Sequence, residues 1–209
     1  MLTDRTKTIQ CVCEHVAAKE FAIAKQVLAS EYPFVSIKKT GRNYTPLLMT
    51  EIFIRDGFID RYRGTRLVFP PVLRLLSHYL EGEFPFHKNG KMSEGHIAYW
   101  ELFPTIDHVV PVARGGTDTK GNWVCCSMLT NSIKANWTLD QLQWKMHERG
   151  DFEVWDGMIN WFLRQVSEDP SAPKTPYIQK WYSAAKRAIA KHGLPAGSRV
   201  FCVATQKPF

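Results

Sequence analysis

The sequence predicts an α+β fold, a small two-stranded element near the middle of the chain embedded in mostly helical N- and C-terminal flanks. Three observations predict it. Apolar residues recur at helical spacing on both sides of the middle. Between them lie two β-prone stretches, HIAYWELFPTIDHVV and the shorter NWVCCSM. A Pro- and Gly-containing loop joins the two, and no internal repeat interrupts this order.

Each element has its own signal. Val16, Phe21, Ala24, Val27 and Leu28 mark a helix within residues 12–30, which Pro33 stops. Residues 35–69 are mixed, with the β-prone pieces EIFI and RLVF flanking RDGFIDRYRG. After Pro70 and Pro71, the spacing of Val72, Leu75, Leu76, Tyr79 and Leu80 predicts a short amphipathic helix. EGEFPFHKNGKMSEG reads as a loop, and TNSIKAN after the second strand reads as helical. Thr138 and Gln141 form a capping box for a helix carrying Leu139, Leu142 and Met146 and ending near Gly150. Val154, Met158, Ile159, Phe162 and Val166 predict another helix. SEDPSAPKTP is a linker, and Trp181, Ala184, Ala185, Ala188 and Ile189 line one face of the last helix. The expected parts are an N-terminal helical extension over 1–50, a central core over 51–137 and a helical region over 138–209.

A hydrophobic content of 44% over 209 residues supports a packed core and excludes low-complexity disorder for most of the chain. No run reaches the about 18 apolar residues of a membrane span, and MLTDRTKTIQCVCEH lacks the apolar stretch of a signal peptide. The expectation is a cytoplasmic protein with no membrane partner. Five cysteines, an odd number, argue against a disulfide framework, and Cys125 and Cys126 read as small buried residues. Cys11-x-Cys13-x-His15 lacks the spacing of a zinc site. The net charge of +7 is uneven: residues 170–209 hold seven Lys and Arg and no Asp or Glu, leaving 20 of each sign elsewhere. A basic end on a neutral body points to a polyanionic partner, with nucleic acid the usual one, although a solvated helix face would look the same. Lys180, Lys186 and Arg187 are the candidate contacts on the last helix.

The segment DHVVPVARGG poses the functional question. Asp is depleted in strands, yet Asp107 and His108 end one and lead straight into a turn. A strand–loop–strand–helix unit would bring the loop entrance and the helix together, so that Asp107 and Asn131 converge on one divalent ion. Neighbouring strand residues face opposite ways, which lets one hold a metal while the other meets water. Phosphodiester hydrolysis needs those parts: a base to activate water and a cation to neutralise charge on the phosphate oxygens. A carboxylate and an amide carbonyl are hard oxygen ligands, suited to Mg²⁺ or Mn²⁺. Imidazole, with an ordinary pKa of about 6.5, is free to accept a proton in mildly alkaline solution.

IDHVVPVARGGTDTKGNWVCCSMLTNSIKAN resembles the ββα-metal core of the HNH endonuclease family. The resemblance rests on an ordered set: the Asp-His pair, Pro111, the Gly115-Gly116 loop, Asn122 opening the second strand, then Asn131 and Lys134. It implies Asp107 and Asn131 as metal ligands, His108 as general base, and Asn122 as the brace of the loop. Lys134 falls where the family often contacts phosphate, and Arg114 sits in the loop as a further candidate. The implied activity is cleavage of DNA, chiefly double-stranded, in a restriction, defence or mobile-element setting, leaving 5′-phosphate and 3′-hydroxyl ends. Double-strand cutting would require a homodimer or two successive events.

Many members of that family carry a structural zinc held by two Cys-x-x-Cys pairs. Here Asp60, Arg63, Ser127 and Thr130 occupy the four positions, so no structural zinc is expected, and an Asp60–Arg63 ion pair is one candidate substitute. The competing readings are a non-catalytic nucleic-acid-binding module on the same fold and a nuclease toxin acting on DNA or RNA. The first would show a broken Asp-His pair or a missing third ligand, and the second a translocation segment; the sequence displays neither mark.

Overall fold

The computed structural model describes residues 4–34 and 44–194, so Arg199 and Lys207 of the basic end lie outside the described residues. Contacts divide the chain into two compact units, Met1–Arg42 and Asn43–Phe209. In the first, α1 (Thr6–Ala17) and α2 (Phe21–Glu31) pack together as a helical hairpin. The single helix expected within 12–30 is therefore broken. Lys19 adopts φ 63°, a left-handed conformation that cannot continue an α-helix, and the chain reverses there. Arg5 closes the hairpin by donating from Nη1 to the Glu31 carbonyl at 2.7 Å.

The second unit is a mixture of helix and strand, an α+β arrangement. Its helices are α3 (Pro46–Arg55), α4 (Pro70–Tyr79), α5 (Ala98–Glu101), α6 (Met128–Lys134), α7 (Leu139–Leu142), α8 (Ile159–Glu168) and α9 (Pro176–Lys191). Strands β1 (Pro104–His108) and β2 (Trp123–Ser127) pair antiparallel, with Asp107 opposite Val124 and His108 opposite Trp123. Helix α3 starts where it does because Thr45 accepts from the Leu48 amide and Pro46 fills the first turn. It runs unbroken through the expected boundary at residue 50, and it packs against α9. The predicted face of α9 is buried as a whole: Trp181, Ala184, Ala185, Ala188 and Ile189. Phe53, Phe58, Phe69 and Phe162 fill the main core at zero exposure, meeting edge-on or tilted. Truncating any one of them to Ala would cost about 3–5 kcal/mol. Among the described residues no helix is long and apolar enough to cross a membrane.

Four local expectations differ from the structure, each for a physical reason. EIFI lies inside α3, since a four-residue apolar run reads equally as strand or helix and the Thr45–Pro46 start decides it. RLVF joins no strand: Arg66 forms an isolated bridge with Ile59, and the next three amides donate to three separate segments, at Phe58, Leu102 and Gly157. Within HIAYWELFPTIDHVV the first part coils into α5, and only Pro104–His108 is strand. The Thr138–Gln141 capping box forms, yet its helix stops at Leu142, where Gln143 turns left-handed at φ 55°. The chain then crosses back under longer-range hydrogen bonds: the His147 amide donates to the Arg61 carbonyl and the Gly150 amide to that of Asp56. Met146 and Val154 consequently lie exposed, and the next helix begins only at Ile159.

A buried carboxylate ties α3 to the hairpin. Asp56, fully buried, accepts from Arg55 Nε and Nη2 at 2.8 and 2.9 Å and from the Cys125 amide of β2 at 2.8 Å. Arg61 Nη1 adds a longer contact at 3.4 Å, so charge and hydrogen-bond needs are met together. The next residue, Gly57, has φ 63°, and a Cβ there would collide with the Gly150 carbonyl. Gly57→Ala is expected to lower unfolding free energy by about 2–4 kcal/mol. A urea titration followed by far-UV circular dichroism checks this, and an unchanged midpoint would contradict the close approach.

Candidate functional site

Strand alternation sorts the end of β1. Thr105 and Asp107 face one side with Val124 and Cys126; Ile106 and His108 face the other with Cys125 and Trp123. The hairpin leads directly into α6, whose start is capped by Ser127 accepting from the Thr130 amide.

On the Asp107 side the carboxylate is 8% exposed and one oxygen is already engaged. Oδ2 accepts from the Tyr62 hydroxyl at 2.7 Å and lies 2.8 Å from Lys134 Nζ. Burial pushes the Tyr62 phenol well above its ordinary pKa, and the Asp107 charge adds to the effect, so Tyr62 stays protonated and donates. Lys134 is fully buried and donates as well to the His108 carbonyl at 2.7 Å. Its expected role as a phosphate contact is thereby corrected. An ammonium with no exposed surface, paired with Asp107, cannot reach a backbone in solvent.

Asn131, half-buried on α6, donates from Nδ2 to Thr105 Oγ1 at 3.0 Å. Because Thr105 and Asp107 share a face, the amide stands over the same side of β1 as the carboxylate. Oδ1 of Asp107 and Oδ1 of Asn131 take no hydrogen bond among the described residues. No buried polar side-chain atom there lacks a partner, so both oxygens reach solvent. Two unspent hard oxygens on one face suit a divalent cation of the Mg²⁺ type.

On the other face His108 is 4% exposed. Its Nε2 lies 2.8 Å from Asp118 Oδ1, and Trp123 Nε1 stands between the two, 3.0 Å from the same oxygen and 3.1 Å from Nε2. With the proton on Nε2, both N–H groups converge on the ionised carboxylate, the stronger acceptor, and Nδ1 keeps a lone pair. The bond to His108, above all, holds the Asp118 carboxyl below its ordinary pKa. Nδ1 has no partner among the described residues and, by the same argument as the oxygens, opens to solvent. Asp118 is the residue of this candidate site that sequence reasoning missed. Its only signal was an acid in the loop between the strands, and the pairing spans ten residues through a turn.

Asn122 pins that loop at both ends. Its Nδ2 donates to the Val110 and Thr117 carbonyls at 2.8 Å each, and its Oδ1 accepts from the Val110 amide at 2.9 Å. The same tightness requires Gly116, where a Cβ would meet the Val110 carbonyl. Arg114 is exposed and donates from Nε to the Asn136 carbonyl at 3.3 Å. Lys180, Lys186 and Arg187 are exposed on α9, which packs chiefly against α3 and α8. The hairpin and α6 thus gather Asp107, His108, Asn131, Lys134 and Asn122, while the α9 cations stand on a separate element.

The four positions singled out by the missing thiolates form a hydrogen-bonded joint. Asp60, fully buried, accepts from the Tyr62 and Arg63 amides at 2.9 and 3.1 Å through Oδ1 and from the Ser127 amide at 2.9 Å through Oδ2. Ser127 Oγ in turn donates to Thr130 Oγ1 at 2.8 Å. The anticipated Asp60–Arg63 ion pair is replaced by this main-chain set, in which only the Arg63 amide takes part. Among the described residues no group of three or more His, Cys, Asp or Glu is gathered for a metal. Compared with protein-family models, with curated proteins and with solved structures, the chain matches none.

The raised Tyr62 pKa has a pH consequence. A phenol whose folded pKa exceeds its unfolded value of 10.0 contributes stability that is complete below that value and lost as pH rises above it. Tyr62→Phe is expected to cost about 1–2 kcal/mol at neutral pH. It should also flatten the fall in stability between about pH 10 and pH 11. Urea midpoints of both proteins across that range provide the check; parallel curves would remove Tyr62 as the cause.

Proposed function

We propose that this chain is a divalent-metal-dependent HNH endonuclease that hydrolyses DNA phosphodiester bonds. One observation carries the reading. Two solvent-facing oxygens, of Asp107 and Asn131, share one face of β1, and on the opposite face the neighbouring His108 keeps one ring nitrogen open while Asp118 holds the other. Asp107 and Asn131 would hold one Mg²⁺ or Mn²⁺, and such an ion supplies charge neutralisation at the scissile phosphate.

The chain's own residues then divide the work. His108 Nδ1 takes the proton of the attacking water, and Asp118 stabilises the imidazolium that results. Lys134 and Tyr62 fix Asp107 through Oδ2 and so aim Oδ1 outward. Asn122 holds the loop that carries Asp118. Arg114 and the α9 cations Lys180, Lys186 and Arg187 are the phosphate contacts, giving an affinity that falls with salt. Products carry 5′-phosphate and 3′-hydroxyl ends, double-strand cleavage uses a homodimer or two encounters, and the setting is cytoplasmic restriction, defence or mobile-element activity. A second reading has one observation in its favour: the buried Lys134 ammonium neutralises part of the Asp107 charge, as suits a non-catalytic DNA-binding module.

Supercoiled plasmid with Mg²⁺ or Mn²⁺ separates the two. Nicking that EDTA abolishes is expected, and Asp107→Ala or His108→Ala should lower its rate by about 10²–10⁴-fold with DNA binding retained. Equal nicking by wild type and both variants would overturn the assignment, and DNA binding without nicking would favour the module. Asp118→Asn should lower the rate by about 10–100-fold. An unchanged rate in that variant would deny Asp118 a positioning role.

A further inference from the structure

Away from Asp107 and His108, between α4, α5 and the first turn of α9, lies a cavity of about 220 Å³. Its walls are aromatic: Phe86, Tyr99, Trp100, Phe103 and Tyr177. The polar group among them is unusual. The Arg74 guanidinium carbon sits 3.5 Å from the centre of the Phe86 ring and 5.3 Å from that of Tyr177. Among the described residues no hydrogen bond or ion pair engages Arg74, and the lining contains no Asp or Glu. Its guanidinium nitrogens reach solvent, because no buried one lacks a partner. Lys88 adds positive charge at the lining, whereas Lys91 is spent on Glu94 at 2.7 Å.

We propose that this cavity is a nucleotide pocket that takes one base with its phosphate. A dry cavity of about 150 Å³ admits benzene, so this volume has room for a heterocycle of base size. Aromatic walls stack any base through its π-face. A guanidinium fixed by two rings and with its donors unspent presents a ready fork for phosphate oxygens. A plain apolar ligand would leave those donors unused. A carboxylate ligand without a ring would leave the walls bare.

The pocket's position relates it to the hairpin. Phe103 immediately precedes β1 and Met128 begins α6, so the cavity adjoins the end of the hairpin opposite Asp107. Four residue steps along the strand separate Phe103 from Asp107, about 13 Å. A strand of DNA covers that distance in about four nucleotides. The nucleotide's source is either a strand, from which the base is turned out of the stack, or a free nucleoside phosphate. The strand-borne form deepens the nuclease reading and rests on it, whereas the free form does not.

The experiment uses the full chain in EDTA, so that no strand is cut. Fluorescence anisotropy compares three duplexes of one sequence: fully matched, with one central mismatch, and with an abasic site at that position. Calorimetry compares deoxyadenosine monophosphate with inorganic phosphate. A strand source predicts tighter binding to the mismatched duplex than to the matched one, because the mismatched base unstacks cheaply, with the gain lost at the abasic site. A free source predicts that the monophosphate binds and inorganic phosphate does not. In either case Arg74→Ala and Phe86→Ala should each weaken the signal by about tenfold or more. Arg74→Lys, which keeps charge without the planar fork, should not restore it. The proposal fails if neither probe shows the preference, or if the preference survives both Arg74→Ala and Phe86→Ala in proteins whose melting is unchanged. Absent nicking with an intact pocket signal would remove the nuclease reading alone.

Discussion

The hairpin depends on one buried cation. Lys134 closes α6 against β1 by binding the Asp107 carboxylate and the His108 carbonyl at once, with no surface of its own exposed. An ammonium so placed is tolerable only while both partners remain, and removing either would leave an uncompensated charge at a cost of about 3–5 kcal/mol. Strand end, helix end and the Tyr62 loop are therefore held in one register. The side chains of the candidate site inherit that register: Asp107 cannot rotate without breaking two bonds, and α6 cannot slide without moving Asn131 off Thr105.

Two further buried carboxylates repeat the theme on the other side of the sheet segment. Asp56 and Asp60 each reach β2 main-chain amides, at Cys125 and Ser127, from the stretch that follows α3. A carboxylate accepting several amide donors is among the stronger polar joints a small domain can make, because each bond is charge-assisted. Two strands of five residues make a marginal sheet by themselves. Here they are fastened to helical flanks by salt bridge and amide clamp, over a core built of Phe, Ile and Leu.

The legibility of this arrangement in the sequence follows the range of the interactions. The face of α9 and the Thr138 capping box could be read because periodicity and caps are local. The hairpin followed by α6 was legible for the same reason, since turn residues and β-prone runs bracket it. What escaped depends on distant partners. Met146 lies outside any helix because the segment behind it is drawn to Arg61 and Asp56. Nothing along the chain sets Asp118 apart from other loop acids, and only the fold lays it against the His108 ring. Lys134 was misjudged since charged side chains are rarely buried, and nothing along the chain announces that Tyr62 and Asp107 will enclose it.

Cys125 and Cys126 sit side by side in β2 with no exposed surface, and burial pushes both thiols well above their ordinary range. Oxidants and alkylating agents attack the thiolate, and these two sulfurs offer neither the anion nor a path to it. Cys13 in α1, by contrast, is exposed. Electrophiles therefore meet a sulfur in the helical hairpin of the first unit and find the two in β2, paired to the Asp107–His108 strand, closed to them.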